Sequence, residues 1–290
     1  MSGNLIDLRR RISSVKNTQK ITKAMKTVSA VKLRKSVSKM KLSKPVLEKL
    51  EYLIRQVGRS IEFRKSPLLK KRGEGETVIV AISADKGLCG SFNSNLSREA
   101  EEYYQKIIEE GGNPSFVTVG KKVNNYLRRK ELKIKRNFPD FMIKLKYADS
   151  KELTDYLKEL FIEEKIKEIK FFYTSFKSSS KQEIADKMLF PIEMELSDNE
   201  EEEEVKYIFE PDPAEILNLL IPKYINSIVF HTMLESSASE HAARMVAMEL
   251  ATQNASDMIN SLTLTMNKMR QASITNELLE IITATEALSN

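Results

Sequence analysis

The stretch LESSASEHAARMVAMELATQNASDMINSLTLTMNKM, residues 234–269, holds neither glycine nor proline and repeats every seven residues. One position of the repeat is filled by Leu234, His241, Met248, Ala255, Leu262 and Met269. The alternate position is filled by Ala238, Met245, Thr252, Ile259, Met266 and Ser273. Sustained 3.5-residue spacing winds a left-handed supercoil, and small residues such as Ala238, Ala255 and Ser273 let a second helix approach closely. The uninterrupted run is longer than the repeat. All nine glycines lie at or before Gly120 and the last proline is Pro222, so residues 223–290 read as one helix of 68 residues. At 1.5 Å per residue that helix runs about 100 Å, whereas a compact globule of this chain length is only about 50 Å across. It cannot be an interior helix.

A partner helix is found at the other end of the chain. Residues 4 to about 57 place apolar side chains at Leu5, Leu8, Ile12 and Val15, then at Ile21, Met25, Val28 and Val31, which implies one slip of register between the two runs. Pro45 is a place where that helix could kink or break. Two terminal helices leaving one central region pair antiparallel. If their bases coincide, the C-terminal helix outruns its partner, and residues from about Glu277 stand alone. They carry Leu278, Leu279, Ile281, Ile282 and Leu288. So much apolar surface on a lone helix points to insertion into another molecule, the alternative being a frayed or self-associating end. Between Ala251 and Asn290, 17 of 40 residues are Ser, Thr, Asn or Gln and only six are charged, which suits a helix enclosed by protein better than a solvated coiled coil.

Charge is strongly segregated. Residues 1–72 hold 21 Lys and Arg against 4 Asp and Glu, residues 73–210 hold 22 against 28, and residues 211–290 hold 4 against 9. The first segment therefore carries +17 of a net +6, which points to a polyanionic partner. These boundaries also divide the chain into an N-terminal coiled-coil helix (1–72), an α/β domain (73–210) and a C-terminal coiled-coil helix (211–290). A composition of 41% hydrophobic and 30% charged residues excludes intrinsic disorder and collagen, and a single cysteine, Cys89, excludes an internal disulfide framework. No apolar run approaches the roughly 20 residues of a membrane span, and no secretory signal is expected at the N-terminus.

Within the central segment, Thr77–Ile82 (TVIVAI) reads as a buried strand, followed by a glycine loop, a helix from about Asn93 to Glu110 and a second strand at Ser115–Val119. A helix from about Ser150 to Glu168 precedes the strand IKFFYTSF, and KQEIADKMLFPI and VKYIFE read as further strands. The alternation predicts a doubly wound sheet with a parallel core. Glu200–Glu204 reads as a solvated loop.

Searching for chemistry is uninformative except by exclusion. The chain has no G-x-x-x-x-G-K-[ST], G-x-G-x-x-G, H-E-x-x-H or G-x-S-x-G motif. His231 and His241 read as helix-seam or surface residues, and two His with one Cys make no metal cluster. Ser83–Asn93 (SADKGLCGSFN) follows a strand and opens a helix, so Gly87 and Gly90 could cradle an anion there. The simpler reading is a tight turn, with Cys89 packed as a small hydrophobe.

SADKGLCGSFN, the opening LRRRISSVKNTQKITKAMKTVSAVKLRK and the ending RQASITNELLEIITATEAL together resemble the gamma subunit of the F-type ATP synthase, in the same order and over the whole chain. The resemblance implies an α+β fold, a long antiparallel coiled coil of N- and C-terminal helices plus a central Rossmann-like α/β domain. It implies a non-catalytic rotor shaft that couples proton or sodium flow to ATP synthesis at the cytoplasmic face of the bacterial inner membrane. The implied partners are the alpha and beta subunits of the catalytic hexamer, the epsilon subunit and the membrane c ring, with no cofactor, no nucleic acid and no direct small-molecule ligand. Carried over by position, Lys23, Met25, Lys26 and Lys32 fall where the family's shaft meets acidic lever segments of the catalytic subunits. Arg270, Gln271 and Thr275 match contacts to a catalytic-subunit loop, and Tyr207 and Glu210 fall in the foot that approaches the c ring. Ala284 departs from the glycine usual in the family. The alternative reading of the basic N-terminal segment is a nucleic-acid-binding coiled coil, and a nucleotide-handling enzyme would rest on Asp85 beside Gly87 and Gly90.

Overall fold

A computed structural model of the chain describes residues 2–57, 68–69, 71–163, 165–192 and 212–289. The elements are α1 (Ser2–Val57), β1 (Glu76–Ile82), α2 (Phe92–Glu109), β2 (Asn113–Val119), α3 (Lys121–Arg129), β3 (Ile134–Phe138), α4 (Tyr147–Glu163), β4 (Ile166–Phe176), β5 (Gln182–Phe190) and α5 (Pro213–Ser289). They make two compact units, one of residues 1–29 and 245–290, the other of residues 30–244.

The larger unit is built on a five-stranded sheet in the order β3-β2-β1-β4-β5. β3, β2, β1 and β4 are parallel and β5 returns antiparallel beside β4. β1 is buried on both faces because every residue from Val78 to Ile82 is apolar. Its alternation divides the core. Val78, Val80 and Ile82 pack with Leu153, Leu157 and Phe161 of α4, Ile54 and Val57 of α1, and Ile221, Ile225 and Val229 of α5. Ile79 and Ala81 face Leu96 and Ala100 of α2 and Val123 and Leu127 of α3. The doubly wound sheet is as expected, but α3 and β3 were not foreseen. Their polar sequences, KKVNNYLRR and IKRNF, give only short periodic signals. α4 ends at Glu163, not Glu168, and β4 starts at Ile166 because Ile166 and Ile169 are both fully buried strand residues.

Neither proline expected to limit a long helix does so. Pro45 lies inside α1, and Pro222 lies inside α5, which begins ten residues before the expected start. An internal proline costs about 3 kcal/mol. Around Pro222 that is offset by burial of Leu217, Ile221 and Ile225 on the sheet. In this unit Ser36 and Ser237 are 3.3 Å apart and Ser43 bonds His231 Nδ1 at 2.8 Å, so α1 and α5 run antiparallel.

Along α1 one row of buried or half-buried positions runs through Leu5, Leu8, Ile12, Val15, Gln19, Thr22, Lys26, Ser29, Leu33, Ser36, Met40, Ser43, Leu47, Leu50, Ile54 and Val57, flanked by further half-buried residues such as Met25, Ala30 and Val37. Every step of that row is three or four residues, so it continues through the region of the expected register slip without one. Polar residues, chiefly Thr22, Ser29 and Ser36, occupy the seam where apolar ones were sought. Ile21, Val28 and Val31 are instead 60, 55 and 55% exposed. The seam of α5 follows the heptad as read, buried or half-buried at each of its positions except Met269.

Candidate functional site

The two-helix unit is antiparallel, with Thr22 Oγ1 and Thr252 Oγ1 2.7 Å apart and Lys26 Nζ donating to Glu249 Oε1 at 2.7 Å. Counting along both helices from that ion pair brings Ser2 level with Ser273. Beyond Ser273, α5 has no α1 residue beside it. Its side chains there are open: Ile274 is 49% exposed, Leu278 and Leu279 54% and Ile281 61%. Residues such as Leu250 and Leu264 are also exposed on the paired part of α5.

The candidate contact residues fall into two groups on this unit. Lys23 is exposed and Met25 half-buried, and Lys26 already has Glu249 as a partner. Both side chains of that pair are substantially solvated, so it contributes less than about 1 kcal/mol. Arg270, Gln271 and Thr275 are exposed, Thr275 Oγ1 donating to the Gln271 carbonyl at 3.0 Å. Arg270 lies 21 residues beyond Glu249, or about 30 Å along the axis, so the two groups are separate surfaces. Lys32 belongs to the larger unit and is exposed. Tyr207, Glu210, the strand VKYIFE and the Glu200–Glu204 run lie outside the described residues.

The Ser83–Asn93 loop is engaged with α5. Arg244 donates from Nε and Nη2 to the Gly87 carbonyl, both at 3.2 Å, and from Nη2 to the Lys86 carbonyl at 3.3 Å. Its Nη1 pairs with Glu240 Oε1 at 2.7 Å. The loop therefore offers carbonyl oxygens to a buried cation, and the anion-cradle alternative does not describe it. Cys89 is buried against Ala84 and Phe92 with Ala243 beside them, and burial pushes its thiol up. The carboxylate of Asp85 accepts the backbone N–H groups of Lys121, Asp140 and Met142 at 3.1, 2.9 and 3.2 Å, tying the start of α3 and the β3–α4 connection to the loop. Gly120, at φ 94°, is required beside it: a Cβ there would lie 2.3 Å from the Ser83 carbonyl oxygen.

Burial raises the Glu240 carboxyl against the pull of Arg244, and its Oε2 has no hydrogen-bond partner among the described residues. Burial, then Arg244 and Lys32, push His241 down to about 4, so it is neutral at physiological pH. His231 is also lowered, mainly by burial. Among the described residues no group of three His, Cys, Asp or Glu could hold a metal ion. Sequence reasoning missed Arg244 and Glu240. The available signal was a pair of opposite charges, i and i+4, among the small residues of SSASEHAAR.

The geometry defines a class of protein in which two long terminal helices pair antiparallel and the chain between them forms a doubly wound α/β sheet. A family model described as ATP synthase matches residues 4–288. The ATP synthase gamma chain of Geotalea uraniireducens is 39% identical over 286 residues, 99% of each chain, and that of Solibacter usitatus is 40% identical over 289 residues, 98% of this chain and 99% of the other. The chain belongs to the ATP synthase gamma chain family. Its fold is similar to a chain of the Euglena gracilis mitochondrial ATP synthase in rotational state 3 (TM-score 0.70, 20% identity, 99% of this chain and 95% of that one). It is also similar to one in the central stalk and c ring structure of the Tetrahymena thermophila enzyme (TM-score 0.59, 23% identity, 80% and 99%).

Proposed function

We propose that this chain is the central rotor shaft of an ATP synthase, transmitting torque between the membrane c ring and a catalytic hexamer of alpha and beta subunits. It couples proton or sodium flow to ATP synthesis and carries no catalytic site of its own. The observation that carries this reading is the C-terminal part of α5 beyond Ser273, helical, rich in exposed apolar side chains and with no α1 residue beside it among the described residues. A surface of that kind is stable in water only when something encloses it.

In this reading segments 1–72 and 211–290 are the shaft and 73–210 is the domain that meets the epsilon subunit and the c ring, with Tyr207 and Glu210 at the foot. Lys23, Met25, Lys26 and Lys32 meet acidic lever segments, and Arg270, Gln271 and Thr275 meet a catalytic-subunit loop. Torque follows from asymmetry. α1 presents lysines while α5 presents Ser, Thr, Asn and exposed Leu, so each of three surrounding catalytic sites meets a different face. A ligand with different contacts to different conformations shifts their populations, and a rotating one shifts them in turn. The complex works peripherally at the cytoplasmic face of the bacterial inner membrane; among the described residues no helix is long and apolar enough to cross a membrane.

The test is reconstitution with alpha and beta subunits and observation of ATP-driven rotation of a bead fixed to the α/β domain. Rotation is expected, and the double charge reversal Lys23→Glu/Lys26→Glu is expected to lower torque while assembly persists. A reconstituted hexamer that never captures the chain contradicts the rotor reading.

A further inference from the structure

A groove of about 420 Å³ in the larger unit is formed by three segments far apart in sequence: α1, the connection between β3 and α4, and α5. Its rim carries Lys32, Lys35 and Lys39 from α1 and Lys144 and Lys146 from the connection, with no acidic residue among its lining. We infer that this groove binds a small multivalent phosphoanion, of the class of inorganic pyrophosphate or a nucleoside diphosphate. The inference goes beyond the rotor reading, shares with it only Lys32, which that reading sets against acidic lever segments, and departs from the expectation that the chain takes no small-molecule ligand.

Charge gives the first argument. Several lysines elsewhere have a carboxylate partner, Lys121 with Asp140, Lys133 and Lys135 with Glu76, and Lys170 with Asp186, although not every surface lysine does. None of the five groove lysines has a carboxylate within 4 Å among the described residues. Lys35 and Lys39 are four residues apart on one helix face, where like charges destabilise each other, and Lys39 Nζ is held toward the groove by the Leu145 carbonyl at 3.4 Å. A counter-charge of several units relieves that repulsion more fully than a single unit does.

Shape and size give the second. The floor is apolar and buried, made by Met142, Leu145 and Leu234, so an organic body can rest on it. Polar groups beside it are the buried Ser36 and Ser237 hydroxyls and His241. His241 Nδ1 lies 3.4 Å from Arg244 Nη1, a donor, so the neutral ring carries its proton on Nε2. The ring is a donor that stays uncharged well below neutral pH. The volume lies within the range of small-molecule pockets, about 300–1,000 Å³. An acidic peptide carries one charge per residue, about 3.3 Å apart. A phosphoryl group concentrates nearly two charges and three acceptor oxygens on one centre, which is the density that five ammonium groups around so small a space match.

The experiment is calorimetric titration of the full chain at low salt with inorganic pyrophosphate, ADP, adenosine and a hexaglutamate peptide. The variants are Lys144→Gln/Lys146→Gln and, separately, Lys39→Gln, with folding followed by circular dichroism. Pyrophosphate and ADP should bind saturably and compete, adenosine should not bind, and the double variant should weaken both anions about tenfold, a few-fold for each exposed ion pair lost. Tighter binding of ADP than of pyrophosphate makes the ligand a nucleotide, and equal binding makes it an inorganic phosphoanion. Absence of saturable binding overturns the inference, as does affinity unchanged in both variants. Hexaglutamate binding more tightly than pyrophosphate overturns it too, making the groove a docking surface for an acidic protein segment.

Discussion

The larger unit encloses its charged exceptions, whereas the two-helix unit leaves its apolar ones uncovered. In the first, Glu240 and Arg244 are buried and paired with each other, and Arg244 also donates to the carbonyls of Lys86 and Gly87. In the second, small polar residues such as Thr22 and Ser29 share the seam with Leu8, Ile12, Met248 and Ile259, while Ile21, Val28, Leu250 and Leu278 are turned outward. A coiled coil that folded for its own stability would concentrate its apolar residues at the seam and carry charge outside. The difference teaches that the larger unit is stabilised by its own contacts and the two-helix unit is shaped for a surface belonging to other chains.

The largest expected effect breaks the second half of that comparison. Leu278→Asp/Ile282→Asp should abolish co-elution with alpha and beta subunits on gel filtration, since burying unpaired carboxylates in a protein sleeve costs several kcal/mol. The melting temperature of the chain alone should stay unchanged, because both side chains are more than half exposed. Next is the first half. Arg244→Met leaves Glu240 buried without its cation and should cost about 3–5 kcal/mol in denaturant unfolding, much of it recovered in Glu240→Gln/Arg244→Met.

A smaller effect depends on pH. His241 sits at about 4 in the folded chain and near 6.5 when unfolded, so the unfolded state takes up the proton first as pH falls. Its contribution is full above pH 6.5 and lost down to pH 4, at most about 3 kcal/mol. The raised Glu240 carboxyl works in the opposite sense, its penalty growing as pH rises above the usual Glu value. Subtracting the stability curve of His241→Gln from that of the parent chain isolates the histidine. The smallest expected effect is in the two-helix seam: Thr22→Val/Thr252→Val exchanges a hydroxyl pair for apolar contact and should be neutral or stabilising by about 1 kcal/mol in thermal melts.

Long-range periodicity made the helices legible, and the heptad of α5 named its buried face nearly residue by residue. α1 was harder because hydrophobicity was the signal sought. Thr22, Ser29 and Ser36 are seam residues chosen for size, so their pattern emerges only from burial, and Ile21 and Val28 imitated a seam that points to solvent. β1 announced itself by five consecutive apolar residues, but α3 and β3 rest on contacts with the rest of the sheet. Arg244 and the lysine groove join residues separated by 100 positions or more, such as Arg244 with Gly87 and Lys39 with Leu145. Such juxtapositions belong to topology and leave no local trace.

Amide hydrogen exchange across residues 274–289, in the chain alone and assembled with alpha and beta subunits, tests the central claim most directly. The chain alone should exchange this segment rapidly, as an end held by no neighbour, and assembly should slow it at least tenfold while residues 76–82 of β1 remain protected in both states. Equal exchange in the two states would contradict an enclosed shaft end, and with it the account of this helix as an axle.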